Sequence, residues 1–304
     1  MSVHESSQPT CTDPQGSAVE RVIKSHEKDL GGFTVSRVLP AAEHRRVGPF
    51  IFFDHLGPAQ FEPGHGMDVR PHPHIGLSTL TYLFEGQILH RDSLGYVQNI
   101  EPGAVNWMTS GKGIVHSERT PDELRATGFE MHGLQIWIAL PDGQEEIEPS
   151  FHHHPAGSLP IIAADGVRMS LVAGEAFGQR SPVKTHSPLF YLDAEAEAGK
   201  EIPLPEEYPE RALYLLSGEI GIDSETYTAP RMLVIRAGAQ PVLIAKTACR
   251  LMLLGGAPLA SDRTVWWNFS SSSKARLEQA KQDWKEGRFG QVPGETEFIP
   301  LPEK

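Results

Sequence analysis

Two short stretches of the chain carry residues that could hold a metal ion. Pro71-His72-Pro73-His74 offers two imidazoles one residue apart, and His116-Ser117-Glu118 offers an imidazole and a carboxylate at the same spacing. Side chains alternate faces along a β-strand, so residues i and i+2 point the same way. If the two stretches are strands lining one cavity, His72, His74, His116 and Glu118 converge as three imidazoles and one carboxylate. Such a mixed N/O set suits divalent iron, manganese, cobalt, nickel, copper or zinc rather than an ion selected by thiolate. Structural zinc usually closes its shell with cysteine or histidine. A six-coordinate ion on four protein ligands keeps two positions for water, dioxygen or substrate, as a catalyst or sensor requires.

The elements needed to position these groups are legible around them. Leu77 to Phe84 is rich in β-formers, Glu85-Gly86 makes a turn, and Gln87 to Asp92 pairs back as a hairpin. Ala104 to Met108 alternates, Ser110 to Gly113 is a tight turn, and Gly133 to Leu140 reads as a buried strand. Regular strand-turn-strand spacing predicts an antiparallel barrel or jelly roll. Tyr214 to Ile220 echoes Tyr82 to Ile88, which implies a duplicated barrel. At that offset His72 falls on Leu204 and His74 on Glu206, and the later ligands fall near Ala248 to Leu253, where there is no His or Glu. The second barrel is therefore expected to be metal-free. Ser273 to Trp284 predicts a helix with a serine N-cap and an apolar stripe of Leu277, Ala280 and Trp284. The aromatic run Trp266-Trp267-Asn268-Phe269 before it is expected to clasp the two barrels.

Composition excludes several classes. With 304 residues, a net charge of −12 and no Lys/Arg-rich run, direct nucleic-acid binding is not expected. No apolar run is long enough for a membrane helix, and the polar N-terminus lacks a signal-peptide pattern, so a cytoplasmic location is the default. Cys11 and Cys249 are expected to be free thiols. His152-His153-His154 reads as a solvated loop, and His90 and His132 as core histidines that could support a ligand. Asp54, Gln135 and Asn106 are candidates to orient the ligating imidazoles. Phe52, Phe53 and Trp107 are candidates for an aromatic mouth.

Arg70 to Gly76, Leu89 to Gly95, Asn106 to Thr109 and Gly113 to Glu118, with Gly133 to Trp137 and Trp266 to Ser270, together closely resemble the pirins, double-barrelled members of the cupin superfamily. The resemblance runs from about residue 19 onward. It implies an all-β fold of two tandem cupin (jelly-roll) barrels with a short C-terminal helix. Residues 1–18 would be a flexible tail, 19–145 the metal-binding barrel, 146–165 a linker and 166–304 the metal-free barrel with the helix. It implies iron(II) on His72, His74, His116 and Glu118, with manganese, cobalt, nickel, copper or zinc also compatible. Bacterial relatives include enzymes that open flavonols such as quercetin with dioxygen. The expected partners are then a small flat phenol and O2, with Glu118 serving as ligand and general base. Animal relatives resemble iron-dependent nuclear cofactors, so a redox-sensing protein that binds a protein partner is the alternative. A monomer is expected.

Overall fold

Pro71 and Pro73 have no N–H to give to a neighbouring strand, so the strand that carries His72 and His74 can be paired fully on one side only. The structure, a computed structural model describing residues 9–14, 16–30 and 33–303, places Asp68–His74 at an edge for this reason. It heads a four-stranded antiparallel sheet, followed by Ile114–Arg119, Ile88–Asp92 and Val97–Ile100. Opposite lies a seven-stranded sheet in the order Ser150–His154, Val105–Thr109, Leu77–Glu85, Phe129–Ala139, Phe50–Phe61, Thr34–Leu39, His26–Asp29. Side chains from the two sheets meet: Thr81 reaches Glu118, Trp137 meets His74, and Phe151 stacks on His90.

A second pair of sheets is built alike. One has nine strands, running from Thr10–Thr12 at one edge to Ile161–Ala164 at the other, and the second has four, from Glu201–Ile202 to Glu225–Thr228. Its interior is filled by apolar side chains, among them Leu192, Leu213, Ile220, Leu233 and Leu253. The turn glycines of the internal echo, Gly86 and Gly218, both take φ of 81°.

The all-β class and the C-terminal helix are as expected, but the two closed barrels are not formed. Each sheet is open and ends in edge strands. Pro71 and Pro73 withhold donors at one edge, and at another the strand Glu201–Ile202 stops after two residues, where Pro203 and Pro205 follow. The architecture is cupin-type sheets packed in pairs.

The chain forms two compact units, each assembled from separated stretches. One comprises Met1–Lys28, Ser36–Asp54 and Ser158–Pro258, and the other Asp29–Val35, His55–Gly157 and Leu259–Lys304. Of the expected N-terminal tail, residues 1–8 and 15 lie outside the described residues, while Thr10–Thr12 pairs with Val22 to Lys24 as a strand. His152-His153-His154 is likewise in a strand, paired with Val105 to Trp107. Cys11 and Cys249 are free. No helix among the described residues is long and apolar enough to cross a membrane.

The stretch after residue 259 completes the unit that contains His72, His74 and His116. Helix Lys274–Lys285 starts at Ser273, whose hydroxyl accepts the Arg276 N–H, a cap that contributes about 1 kcal/mol. It buries Leu277 and Ala280 in a cluster with Ile75 and Phe269. The chain then returns along the outer side of both ligand-bearing strands. Ile299 N–H donates to the Pro71 carbonyl at 2.8 Å. Glu295 takes Arg119 with both oxygens, at 2.8 and 2.6 Å, and also accepts the Ser117 hydroxyl at 2.8 Å. Ser117 lies between His116 and Glu118 and points the other way, so this clamp fixes the back of the strand whose front faces inward.

Candidate metal centre

Asp68–His74 and Ile114–Arg119 run antiparallel, with His116 opposite His72 and Ile114 opposite His74. Alternation turns all three imidazoles to the same face. Their ligand nitrogens lie within 4.8 Å of one another, and the rings are buried. His74 Nε2 and His116 Nε2 approach to 3.1 Å. A register irregularity between His116 and Glu118 brings Glu118 opposite Val69. Glu118 is buried but stands outside the tight group of three, and its Oε1 is 3.4 Å from the Thr81 hydroxyl.

Backbone carbonyls orient two of the rings. His72 Nδ1 is 2.9 Å from the Arg70 carbonyl and His74 Nδ1 is 3.0 Å from that of Asn268. A carbonyl can only accept, so each Nδ1 carries the proton and donates it. A neutral imidazole has one N–H, so both Nε2 atoms are bare lone pairs. Trp137 meets His74 edge-on at 5.1 Å and holds that ring upright.

Burial decides the charge state. It pushes His72 down to about 4 and holds His74 and His116 well below the ordinary histidine value. Neighbouring imidazoles push the same way. Burial also raises Glu118, against the lowering influence of His90 and Thr81. The centre is thus a set of neutral, converging nitrogen donors beside a carboxyl that a nearby cation would ionise. Those residues fit a divalent first-row transition metal, which favours imidazole and carboxylate and needs deprotonated ligands.

The same burial predicts how stability depends on pH. His55, paired with His132 at 2.8 Å between Nε2 atoms, is pushed down to about 3 by burial first and by His132 second. Unfolding returns these histidines to about 6.5. Between that value and their folded values the unfolded chain binds more protons, so stability rises with pH and is lost as pH falls. Glu118 acts oppositely, because its folded value lies above its unfolded one, but four imidazoles outweigh one carboxyl. The melting temperature of the metal-free chain is expected to fall on acidification through about pH 6.5 to 4, with proton uptake on unfolding. A flat profile across that window would contradict this charge assignment.

The remaining sequence candidates divide. Gln135 touches the centre through Thr81, whose hydroxyl lies 2.8 Å from its Oε1. Asn106 bonds instead to His153, at 2.8 Å, and Asp54 pairs with Arg37 through two contacts of 2.8 Å. The expected aromatic mouth lies elsewhere: Phe53 packs edge-on against Tyr214, Phe52 lies under the Arg37 guanidinium, and Trp107 is buried with its N–H on Thr109. The aromatic that meets a ligand ring is Trp137. Sequence reasoning missed Trp137, Thr81 and the Asn268 carbonyl. The strand register shared by Thr81 and Gln135 could have revealed the second of these. Nothing marks a backbone carbonyl 194 positions from its partner.

Two family models match the chain, Pirin over residues 32–138 and Pirin C-terminal cupin domain over residues 191–290. A pirin-like protein of Caulobacter vibrioides is 52% identical over 290 residues, which covers 94% of this chain and 100% of that protein. The crystal structure of quercetin 2,3-dioxygenase from Acinetobacter baumannii aligns with a TM-score of 0.85 at 36% identity, covering 93% of this chain and 95% of that one. A bacterial pirin of Escherichia coli, solved in complex with nickel(II), aligns with a TM-score of 0.60 at 19% identity, covering 77% and 96%, a likeness of fold alone.

Proposed function

The chain belongs to the pirin family of the cupin superfamily, and from that premise we propose that it opens a flavonol such as quercetin with dioxygen, using iron(II) held by His72, His74, His116 and Glu118. A histidine-based metal site in a pirin fits a metal-dependent, dioxygenase-like oxidoreductase. The observation that carries the finer reading is the convergence of three buried, neutral imidazoles, two of them with Nε2 lone pairs available, in a chain so similar to the Acinetobacter baumannii dioxygenase.

A bound divalent ion would supply Lewis-acid and one-electron chemistry at the tips of these rings, acidifying a phenolic hydroxyl. The protein's own contribution is orientation and proton handling. The Arg70 and Asn268 carbonyls lock two rings, and Thr81 engages Glu118 Oε1. Burial raises Glu118, so it is poised to take the hydroxyl proton of a flavonol and retain it. The surrounding apolar residues, including Met108, Ile114 and Phe151, keep bulk water from the reacting groups.

The test is anaerobic loading of the metal-free chain with iron(II), and in parallel with manganese, cobalt, nickel, copper and zinc, followed by aerobic incubation with quercetin. Metal-dependent loss of the flavonol absorbance with release of carbon monoxide is expected. No metal-dependent loss across a panel of flavonols would reject the substrate assignment.

A further inference from the structure

We infer that Asp92, acting through His90, sets the tautomer of His116 and thereby commits the three-histidine group to binding a cation. The inference rests on the reading of His116 as a metal ligand. Asp92 is fully buried and lies opposite His116 in the sheet, while His90 lies opposite Glu118. Asp92 Oδ1 accepts the backbone N–H groups of Leu94 and Tyr96, at 2.9 and 3.1 Å. Its Oδ2 is 3.1 Å from His90 Nε2. A carboxylate so held is an acceptor, and His90 Nε2–H donates to it. With the proton on Nε2, His90 presents Nδ1 as the acceptor to His116 Nδ1, which sits 3.4 Å away. His116 therefore donates from Nδ1 and turns a bare Nε2 inward.

The consequence is electrostatic. His74 Nε2 is bare because its Nδ1–H is given to the Asn268 carbonyl. His116 Nε2 stands 3.1 Å from it. Two lone pairs at that distance repel unless a cation lies beside them. Without the relay, His116 could rotate its proton to Nε2 and satisfy His74 with an ordinary hydrogen bond, closing the site to metal. Phe151 lies flat on His90, with ring centroids 4.3 Å apart and planes 13° apart, and keeps its nitrogens aligned. His116 also differs from its two partners in leaning on a carboxylate rather than a carbonyl, which makes it the stronger donor. His90 and Asp92 are positioning residues, since neither is placed on the ion.

Asp92→Asn tests the relay with little change of shape. Its carbonyl can still accept from Leu94 and Tyr96, but its amide would donate to His90 Nε2. The proton of His90 then moves to Nδ1, and that of His116 to Nε2. The equivalent reversal in Ser-His-Asp enzymes lowers kcat by about 10⁴. Nitrogen-15 NMR of the histidine rings in the metal-free full chain is expected to show His116 protonated at Nδ1, changing to Nε2 in Asp92→Asn; a wild-type His116 protonated at Nε2 overturns the inference. Manganese(II) titration followed by electron paramagnetic resonance is expected to show roughly 10- to 100-fold weaker binding by the variant, in the range typical for outer partners of metal ligands. Unchanged affinity overturns it. His90→Phe keeps the stack on Phe151 without an acceptor, and His90→Gln restores an acceptor. Weak binding by the first and recovery in the second are expected, and equal behaviour of the two overturns the relay. Tautomer and metal affinity are both read without a flavonol, so a wild-type chain that shows the relay and binds manganese(II) yet leaves quercetin intact refutes the proposed function and leaves the relay standing, whereas one that binds no metal overturns both.

Discussion

The His74→Ala chain is expected to fold, to bind no stoichiometric divalent metal and to leave quercetin unconsumed. His74 supplies one of three converging nitrogens, and two imidazoles with a carboxyl outside the tight group cannot hold an ion against its hydration. The fold should survive because the metal-free site is itself strained. Removing His74 relieves the lone-pair contact with His116 at 3.1 Å, while it gives up the edge contact with Trp137 and the bond to the Asn268 carbonyl. The balance should be an ordinary loss of about 1–2 kcal/mol. In the wild-type chain a metal present at 100 times its Kd adds about 2.7 kcal/mol. Melting with and without manganese(II), together with elemental analysis and aerobic turnover, separates the cases. The wild type should shift upward with metal and the variant should not. Turnover retained alongside a lowered melting temperature would make the ion a structural element and remove the dioxygenase reading.

Gly76→Ala is expected to cause the larger loss of stability, about 3 kcal/mol or more, and to loosen the metal site with it. Gly76 takes φ of 68°, in the left-handed region that side chains rarely adopt. A Cβ there would stand 2.0 Å from the Ser270 carbonyl oxygen, an impossible contact with backbone rather than with a movable side chain. Relief would require the 268–271 segment to withdraw. That segment bonds to Ile75 through the Ser270 N–H, and two residues earlier it presents the carbonyl that orients His74. Urea denaturation should therefore show a lowered midpoint, and manganese(II) titration a weaker affinity. Gly95→Ala is the matched control: φ is 92°, but nothing lies within 4 Å of the added methyl, so only backbone strain of about 1–2 kcal/mol is expected. If the two variants unfold at the same midpoint, the close approach at Ser270 is not what makes Gly76 necessary.

The relation between the ligand pairs was legible because it is local. His-x-His and His-x-Glu need only an extended backbone to point together, and the alternating apolar residues around them secure that backbone. The internal echo was legible for the same reason, since a repeated turn and its flanking strands leave a repeated pattern. The terminal helix followed from Ser273 and from the spacing of Leu277 and Ala280. The open edge is also written in the chain, in Pro71 and Pro73, although regular strand-turn-strand spacing by itself predicts a closed barrel.

What the local pattern could not supply is everything that depends on which distant segments meet. Phe52 and Phe53 look as suitable for a substrate mouth as Trp137 does, and only packing sends Phe53 to Tyr214 and Trp137 to His74. The Asn268 carbonyl and the clamp of Glu295 on Arg119 and Ser117 come from the far end of the chain. From its residues alone, the chain determined which atoms could bind a metal, because ligand chemistry and strand periodicity are properties of neighbours. Tertiary structure decided which nitrogen of each ring faces inward, because a proton's place on an imidazole is set by the partner across from it.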